Sequence, residues 1–374
     1  MSQDFVTRLE LQLSEAERRM ERGSRLSRLV ASARVWRPSR ATVVGLAATA
    51  MLLVAVVAGV VALTRAGERK VAQPGPRVVG RLHTGTNYAM TVGFGALWAN
   101  ALDDERVLRI DPVRHRIVAR IPVGRLPTGV ATAAGSVWVV AAPRSDSYVV
   151  SRIDPASNRV AARIPLTAQA TALIGPDGLP RLRSNGEVLW VLGGHGGVRI
   201  DPVRGAIAAL VPWGLGAGAN AGDGALTGND LWIHGADGRL LLLDARTGAR
   251  RATLSSPQGP VRLVAIPGPA VIVADGSSVT RIDAATGRAR WTVRLQHGAP
   301  VTTEPASAPA VAGNTVWALS ENQQQVTERL TEIDLASGRV RGSVALKDVG
   351  AGGLTVVGGE LWYVAGPDTV SLGP

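Results

Sequence analysis

The chain divides by its pattern of apolar and polar positions. Residues 41 to 64, ATVVGLAATAMLLVAVVAGVVALT, carry no charge and are bracketed by Arg40 and Arg65. From residue 77 onward the pattern becomes short alternating runs punctuated by Gly, Pro, Asn and Asp, as in strands joined by tight turns. As a helix the first run extends about 36 Å, enough for a hydrocarbon core of about 30 Å, and it predicts one transmembrane helix. A cleaved signal peptide fits less well, because 40 residues precede the run and no clear small-x-small site follows it. Ahead of it, Val6, Leu9, Leu13, Ala16 and Met20 fall at three-four spacing and give one helical face in a basic tail, residues 1 to 40. That face either binds a partner, lies on the membrane surface or is simply solvated. Residues 65 to 76, RAGERKVAQPGP, lack apolar periodicity and suit a short linker.

The region 77–374 is repetitive. GALWAN, GSVWVV, GEVLWVLG, GNDLWIHG, PAVIVADG, GNTVWALS and GGELWYVAG place Trp at 98, 138, 190, 232, 317 and 362, with Ile272 in the fifth copy. The steps are 40, 52, 42, 40, 45 and 45 residues. Each of the first six copies is followed by a second signature such as RIDPASNRVAARIPL, whose aspartates are Asp111, Asp154, Asp201, Asp244, Asp283 and Asp334. Four residues after each stands His115, Asn158, Gly205, Gly248, Gly287 or Gly338, types that tolerate positive φ. Each unit therefore reads as a hairpin whose Asp forms the turn and whose last loop residue is left-handed. His115 is a turn residue on this reading before it is a ligand.

Units of this length, with about four short strands and no helix signal, predict an all-β, seven-bladed β-propeller. The Trp ladder predicts packing between blades. The seventh copy stops without an outer strand, and RVVGRLHTGT at residues 77 to 86 matches the missing strand, close to RIVARIPVG at 116 to 124. The N-terminal strand is expected to close the last blade and remove two exposed sheet edges.

The LW strand followed by RIDP-x-x-N/G-RVVARIPVG resembles the YVTN and streptogramin-lyase-like (virginiamycin B lyase-like) bacterial propellers. The fifth copy, with Asp283, Thr286, Gly287 and Trp291, is similar instead to a quinoprotein-type blade. The lyase resemblance implies metal-assisted elimination through histidines and a Glu-x-His pair, yet no Glu-x-His occurs, and His83, His115, His195, His234 and His297 match no such position. A quinoprotein dehydrogenase would hold a quinone with a metal and often a vicinal Cys pair, whereas the chain has no Cys. Absence of Cys also excludes disulfides, thiolate zinc sites and iron–sulfur clusters. No cofactor is expected. The segment GLGAGANAGDG, 214 to 224, joins blades and opens no helix, so it is a weak phosphate candidate.

The formal charge is +12, of which residues 1 to 81 hold 14 Lys/Arg against 6 Asp/Glu, or +8. The remainder, 27 against 23, is +4, and no basic helix or aromatic-interleaved basic strand suggests nucleic acid. Six Arg in residues 21 to 40 against five basic residues in 65 to 84 favour a cytoplasmic N-terminus by a narrow margin, with the propeller outside the plasma membrane. Function then falls to the loops entering the inner strands, which ring one end of the channel and include Asn87, Tyr88, Arg125, Thr128, Gln169, Asn220, Asp223, Gln258 and Glu304. Their mixed polarity without strong charge suits a peptide, glycan or protein partner better than a polyanion. The leading expectation is a membrane-anchored, non-catalytic binding scaffold. The alternatives are a streptogramin-lyase-like metal-dependent lyase and a transmembrane sensor signalling through the N-terminal tail.

Overall fold

The computed structural model describes residues 77–373 apart from 145–146, 176–178, 216–222, 236, 257–260, 267, 269, 297–307, 321–326 and 348–352. The expected tail, membrane segment and linker lie outside the described residues. Among the described residues no helix is long and apolar enough to cross a membrane.

Seven four-stranded antiparallel sheets form the blades of a propeller. The inner strands, in blade order, are Met90–Gly93, Pro127–Ala133, Arg181–Ser184, Asp223–Thr227, Arg262–Ile266, Ala310–Ala312 and Thr355–Val357. They lie side by side around the axis, the seventh against the first, so the ring is closed. In blade 7 the outer strand is Arg77–His83, paired antiparallel with Asp368–Gly373 from the far end of the chain. The expected closure is thus present. Arg81 Nη1 holds Asp368 Oδ2 at 2.9 Å across that junction.

The hairpins between third and fourth strands adopt the expected turn. In the first five, the Asp carboxylate accepts the backbone N–H groups two and three residues on, as Asp111 does from Val113 and Arg114 at 3.0 Å each. In the sixth, Asp334 accepts from Ser337. The residue four after the Asp has φ of +47° at His115, +57° at Asn158 and +65° to +77° at the four glycines. A short polar side chain at the first position and a left-handed residue at the last reverse the chain without an orphaned backbone group.

Seven apolar clusters fill the seams between blades. Trp98 packs on Val130, Val137 and Val139 of blade 2, Trp138 on Leu189, Val191 and Val198 of blade 3, and Trp190 on Leu231 and Ile233 of blade 4. Trp232 meets Val271 and Val273 of blade 5, the partly buried Trp317 meets Leu361 and Tyr363 of blade 7, and Trp362 meets Leu97 and Leu108 of blade 1. At roughly 200 Å² per ring and about 25 cal/mol per Å², one buried Trp contributes about 5 kcal/mol of transfer free energy. The hairpin turns clamp the same seams from outside. The carbonyl just after the turn Asp accepts from the preceding blade: Arg109 to Pro155 O (2.7 Å), Trp190 Nε1 to Ala245 O (2.8 Å) and Arg281 to Leu335 O (2.9 Å).

Blade 5 lacks the ladder Trp, and its own outer strand compensates. Ile272 is fully buried at the seam with blade 6, where Trp291 from the outer strand Ala289–Arg294 also packs. Trp291 Nε1 donates to Leu335 O at 3.1 Å, the acceptor position that Trp190 uses two seams earlier.

One element departs from expectation. Between blades 2 and 3, where the Trp spacing stretches to 52 residues, the helix Ala168–Ile174 covers the connection. Thr167 caps it by accepting the Ala170 N–H at 3.2 Å, and Gly175 ends it at φ +77°. Two turns built largely from Ala, burying only Ala170 and Ile174, are too short to show a helical period.

Candidate ligand-binding face at the channel mouth

Every inner strand runs away from the same end of the ring, so the segments that enter these strands gather at one mouth of the channel. Three of the expected residues there are exposed: Tyr88, Arg125 and Gln169, the last on the open side of the helix Ala168–Ile174. Three others are buried. Asn87 Nδ2 donates to Thr369 Oγ1 (3.0 Å) and Thr84 Oγ1 (3.3 Å), and those two hydroxyls lie 2.9 Å apart. Asn87, on the approach to the inner strand of blade 1, therefore fastens that approach to blade 7. Thr128 lies within the inner strand of blade 2, and its hydroxyl donates to Pro180 O of the blade 3 approach at 2.8 Å. Asn220, Gln258 and Glu304 lie outside the described residues.

Asp223 leads to a charged group that the loop residues alone did not reveal. It is the first residue of the blade 4 inner strand, with its side chain 5% exposed. Arg183 Nη2 reaches its Oδ1 at 3.1 Å and Arg181 Nε stands at 3.7 Å from the same oxygen. Oδ2 accepts the Leu263 N–H of blade 5 at 2.9 Å. Burial pushes the Asp223 carboxyl up, yet the positive charges of Arg262, Arg181 and Arg183, with the Leu263 N–H, hold it below the usual carboxylate range. One carboxylate thus joins the inner strands of three blades.

The three arginines are not equivalent. Arg183 also donates to Gly224 O and Leu182 O, so each of its three nitrogens has an acceptor. Desolvation lowers its pKa, and the Asp223 charge opposes that shift. Arg181 makes only the 3.7 Å ion pair, and its side chain is 26% exposed. Arg262 opens the inner strand of blade 5 and adds the third positive charge. The expectation of a mouth without strong charge overlooked these residues, because they belong to inner strands and not to the loops. The local signal was RLR two residues before Asn185 and Gly186, a pair of charges at strand spacing facing one side.

The histidines are dispersed. His83 Nδ1 lies 3.2 Å from Asp368 Oδ1, His115 sits in its turn against blade 7, His195 packs on Gly175, and His297 lies outside the described residues. His234 is buried and is the cross-strand partner of Asp223. Among the described residues no three His, Asp or Glu side chains gather as a metal-binding group. Residues 216 to 222 of the glycine-rich segment lie outside the described residues, and Asp223 and Gly224 at its end open a strand.

Two comparisons with known proteins bear on this arrangement. No curated protein matches the sequence. Residues 181–353, from the inner strand of blade 3 to the approach of blade 7, match the family model described as outer membrane protein assembly factor BamB. Over that segment the chain is similar to a quinoprotein-like propeller, in keeping with the Asp283, Thr286, Gly287 and Trp291 signature of blade 5.

Proposed function

We propose that the protein is a membrane-anchored, extracytoplasmic, non-catalytic β-propeller whose channel mouth holds a protein partner. On this reading residues 1–40 are cytoplasmic, 41–64 span the plasma membrane, 65–76 form a linker and 77–374 the propeller. The observation that carries it is the mouth itself: exposed Tyr88, Arg125 and Gln169 stand at the same end of the ring as the Arg181–Asp223–Arg262 group, while the seams are closed by packing. The similarity of residues 181–353 to a propeller family named for an assembly factor supports an interaction role over a catalytic one. The blade signature supports kinship with the YVTN and streptogramin-lyase-like propellers, with no lyase chemistry proposed.

The test is site-specific photocrosslinking in intact cells. A photoreactive residue at position 88 or 169 is expected to trap a discrete protein, whereas one at Phe94, exposed in a hairpin at the opposite end, traps none. Equal trapping at all three positions, or none anywhere, overturns the reading. A membrane-impermeant label that reaches the propeller only after lysis would overturn the orientation.

A further inference from the structure

We propose that Arg181, held beside the Asp223 cluster, is the centre of a binding site for a single carboxylate presented by an acidic peptide segment of the partner. The inference rests on the interaction reading above and names the chemistry that the partner must bring.

Four observations lead to it. Two guanidinium groups of the blade 3 inner strand, Arg181 and Arg183, face the one Asp223 carboxylate of blade 4, on which the positive charge of Arg262 in blade 5 also acts. The carboxylate itself is fully engaged, with Oδ1 facing two arginines and Oδ2 accepting the Leu263 N–H, so it has little capacity to take on a cation. Arg183 is held in place by one donation from each of its three nitrogens, to Gly224, Leu182 and Asp223. Arg181 lies on the same side of the strand two residues earlier, reaches solvent and makes no hydrogen bond among the described residues. Asp223 thus orients the group while Arg181 keeps its outer N–H groups for a ligand.

The class of ligand follows from geometry. A planar fork receives a carboxylate through two parallel N–H···O bonds, which gives direction as well as attraction. A site confined to the start of three adjacent strands accepts one or two anionic groups, not the spaced phosphates of a nucleic acid. Its location in the mouth, between low-dielectric walls, strengthens the pull on an incoming anion.

The experiment uses the full chain in detergent and fluorescent six-residue peptides at low ionic strength, read by anisotropy. The probes are a C-terminally amidated peptide with four Glu, its amidated four-Gln counterpart and the four-Gln peptide with a free terminus. The amidated Glu peptide is expected to bind wild type and to bind Arg181→Gln about tenfold more weakly. Arg181→Lys, which keeps the charge and loses the fork, is expected to fall between and provides the comparison should Arg181→Gln not fold. Arg114→Gln, in an exposed turn of blade 1, should leave binding unchanged. Selective binding of the free-terminus Gln peptide would support the carboxylate site and assign its source to a chain end. Equal losses in Arg181→Gln and Arg114→Gln, equal binding of both amidated peptides, or displacement by inorganic phosphate far more readily than by acetate would each overturn the proposal. If crosslinks from positions 88 and 169 persist undiminished in Arg181→Gln, the carboxylate site fails while the partner reading stands. Peptide binding without crosslinks gives the reverse.

Discussion

His115 of blade 1 stacks on Trp362 of blade 7, with ring centroids 5.5 Å apart and planes at 29°, and its Nε2 lies 2.8 Å from Glu360 Oε2. A turn residue of the first blade thereby clamps the last, at the seam where the chain's two ends meet. Gly80 of the closing strand lies against the same ring, where a Cβ would come within 2.5 Å of it.

His115→Ala removes the stack and the Glu360 contact and is expected to cost about 1–2 kcal/mol. Gly80→Ala should cost as much or more, since its methyl meets both the imidazole and the Ser371 hydroxyl. Combining Gly80→Ala with His115→Gly should recover part of that loss, because glycine clears the ring and suits φ +47°. Urea unfolding of wild type, Gly80→Ala, His115→Gly and their double variant measures the coupling, and strictly additive losses would show that the two residues do not meet.

Asp223→Asn replaces a buried carboxylate by a neutral amide and leaves the half-buried Arg183 without its counter-charge. Removing one member of such a pair is expected to cost about 2–4 kcal/mol, more than any single turn aspartate. A shift of the thermal midpoint no larger than that of Asp111→Asn would refute the idea that Asp223 ties three blades together.

Acid should weaken the ring in a defined window. The turn aspartates Asp111, Asp154, Asp201, Asp283 and Asp334 are held below the ordinary carboxylate range chiefly by backbone and side-chain hydrogen bonds to the turn. Asp244 is also lowered, since hydrogen bonds from Arg251, Thr247 and Asn229 outweigh the desolvation that would raise it. A folded value below the unfolded value of about 4 means that each contributes stability in full above that value, and that the contribution vanishes as pH falls through the folded value. The thermal midpoint should therefore drop below about pH 4, and more gently in Asp334→Asn, which has already lost one such term. An unchanged acid slope in that variant would sink the explanation.

Much of the fold was readable in the repeats. Asp at one position and His, Asn or Gly four residues on specify a turn by local chemistry alone, and the structure places all six of those last residues at positive φ. Closure by residues 77–83 was readable because RVVGRLH carries the alternation of an outer strand whose partner was missing. The site was less legible. Asn87 and Thr128 look like loop polar groups in the sequence, yet each makes its hydrogen bond across a seam that only the folded ring brings together. Arg181 and Arg262 stand 81 positions apart in sequence and meet only through Asp223. Long-range charge grouping of this kind leaves no periodic trace.

The exception in the Trp ladder yields the sharpest test of packing. A consensus of the repeats would restore Trp at Ile272, but the seam between blades 5 and 6 already contains Trp291, bonded to Leu335 O and covered by Gly338. Ile272→Trp should therefore overpack the seam and destabilise by about 1–3 kcal/mol, although every other blade has Trp at that position. Trp291→Leu should also destabilise, by opening a gap beside Ile272 and orphaning the Leu335 carbonyl. If the two sites compete for one volume, the double variant should be more stable than the sum of the single losses by about 0.5–3 kcal/mol. Circular dichroism of the sheet signal during urea unfolding avoids relying on the altered tryptophans. Simple additivity would show that Trp291 and the ladder position occupy separate space.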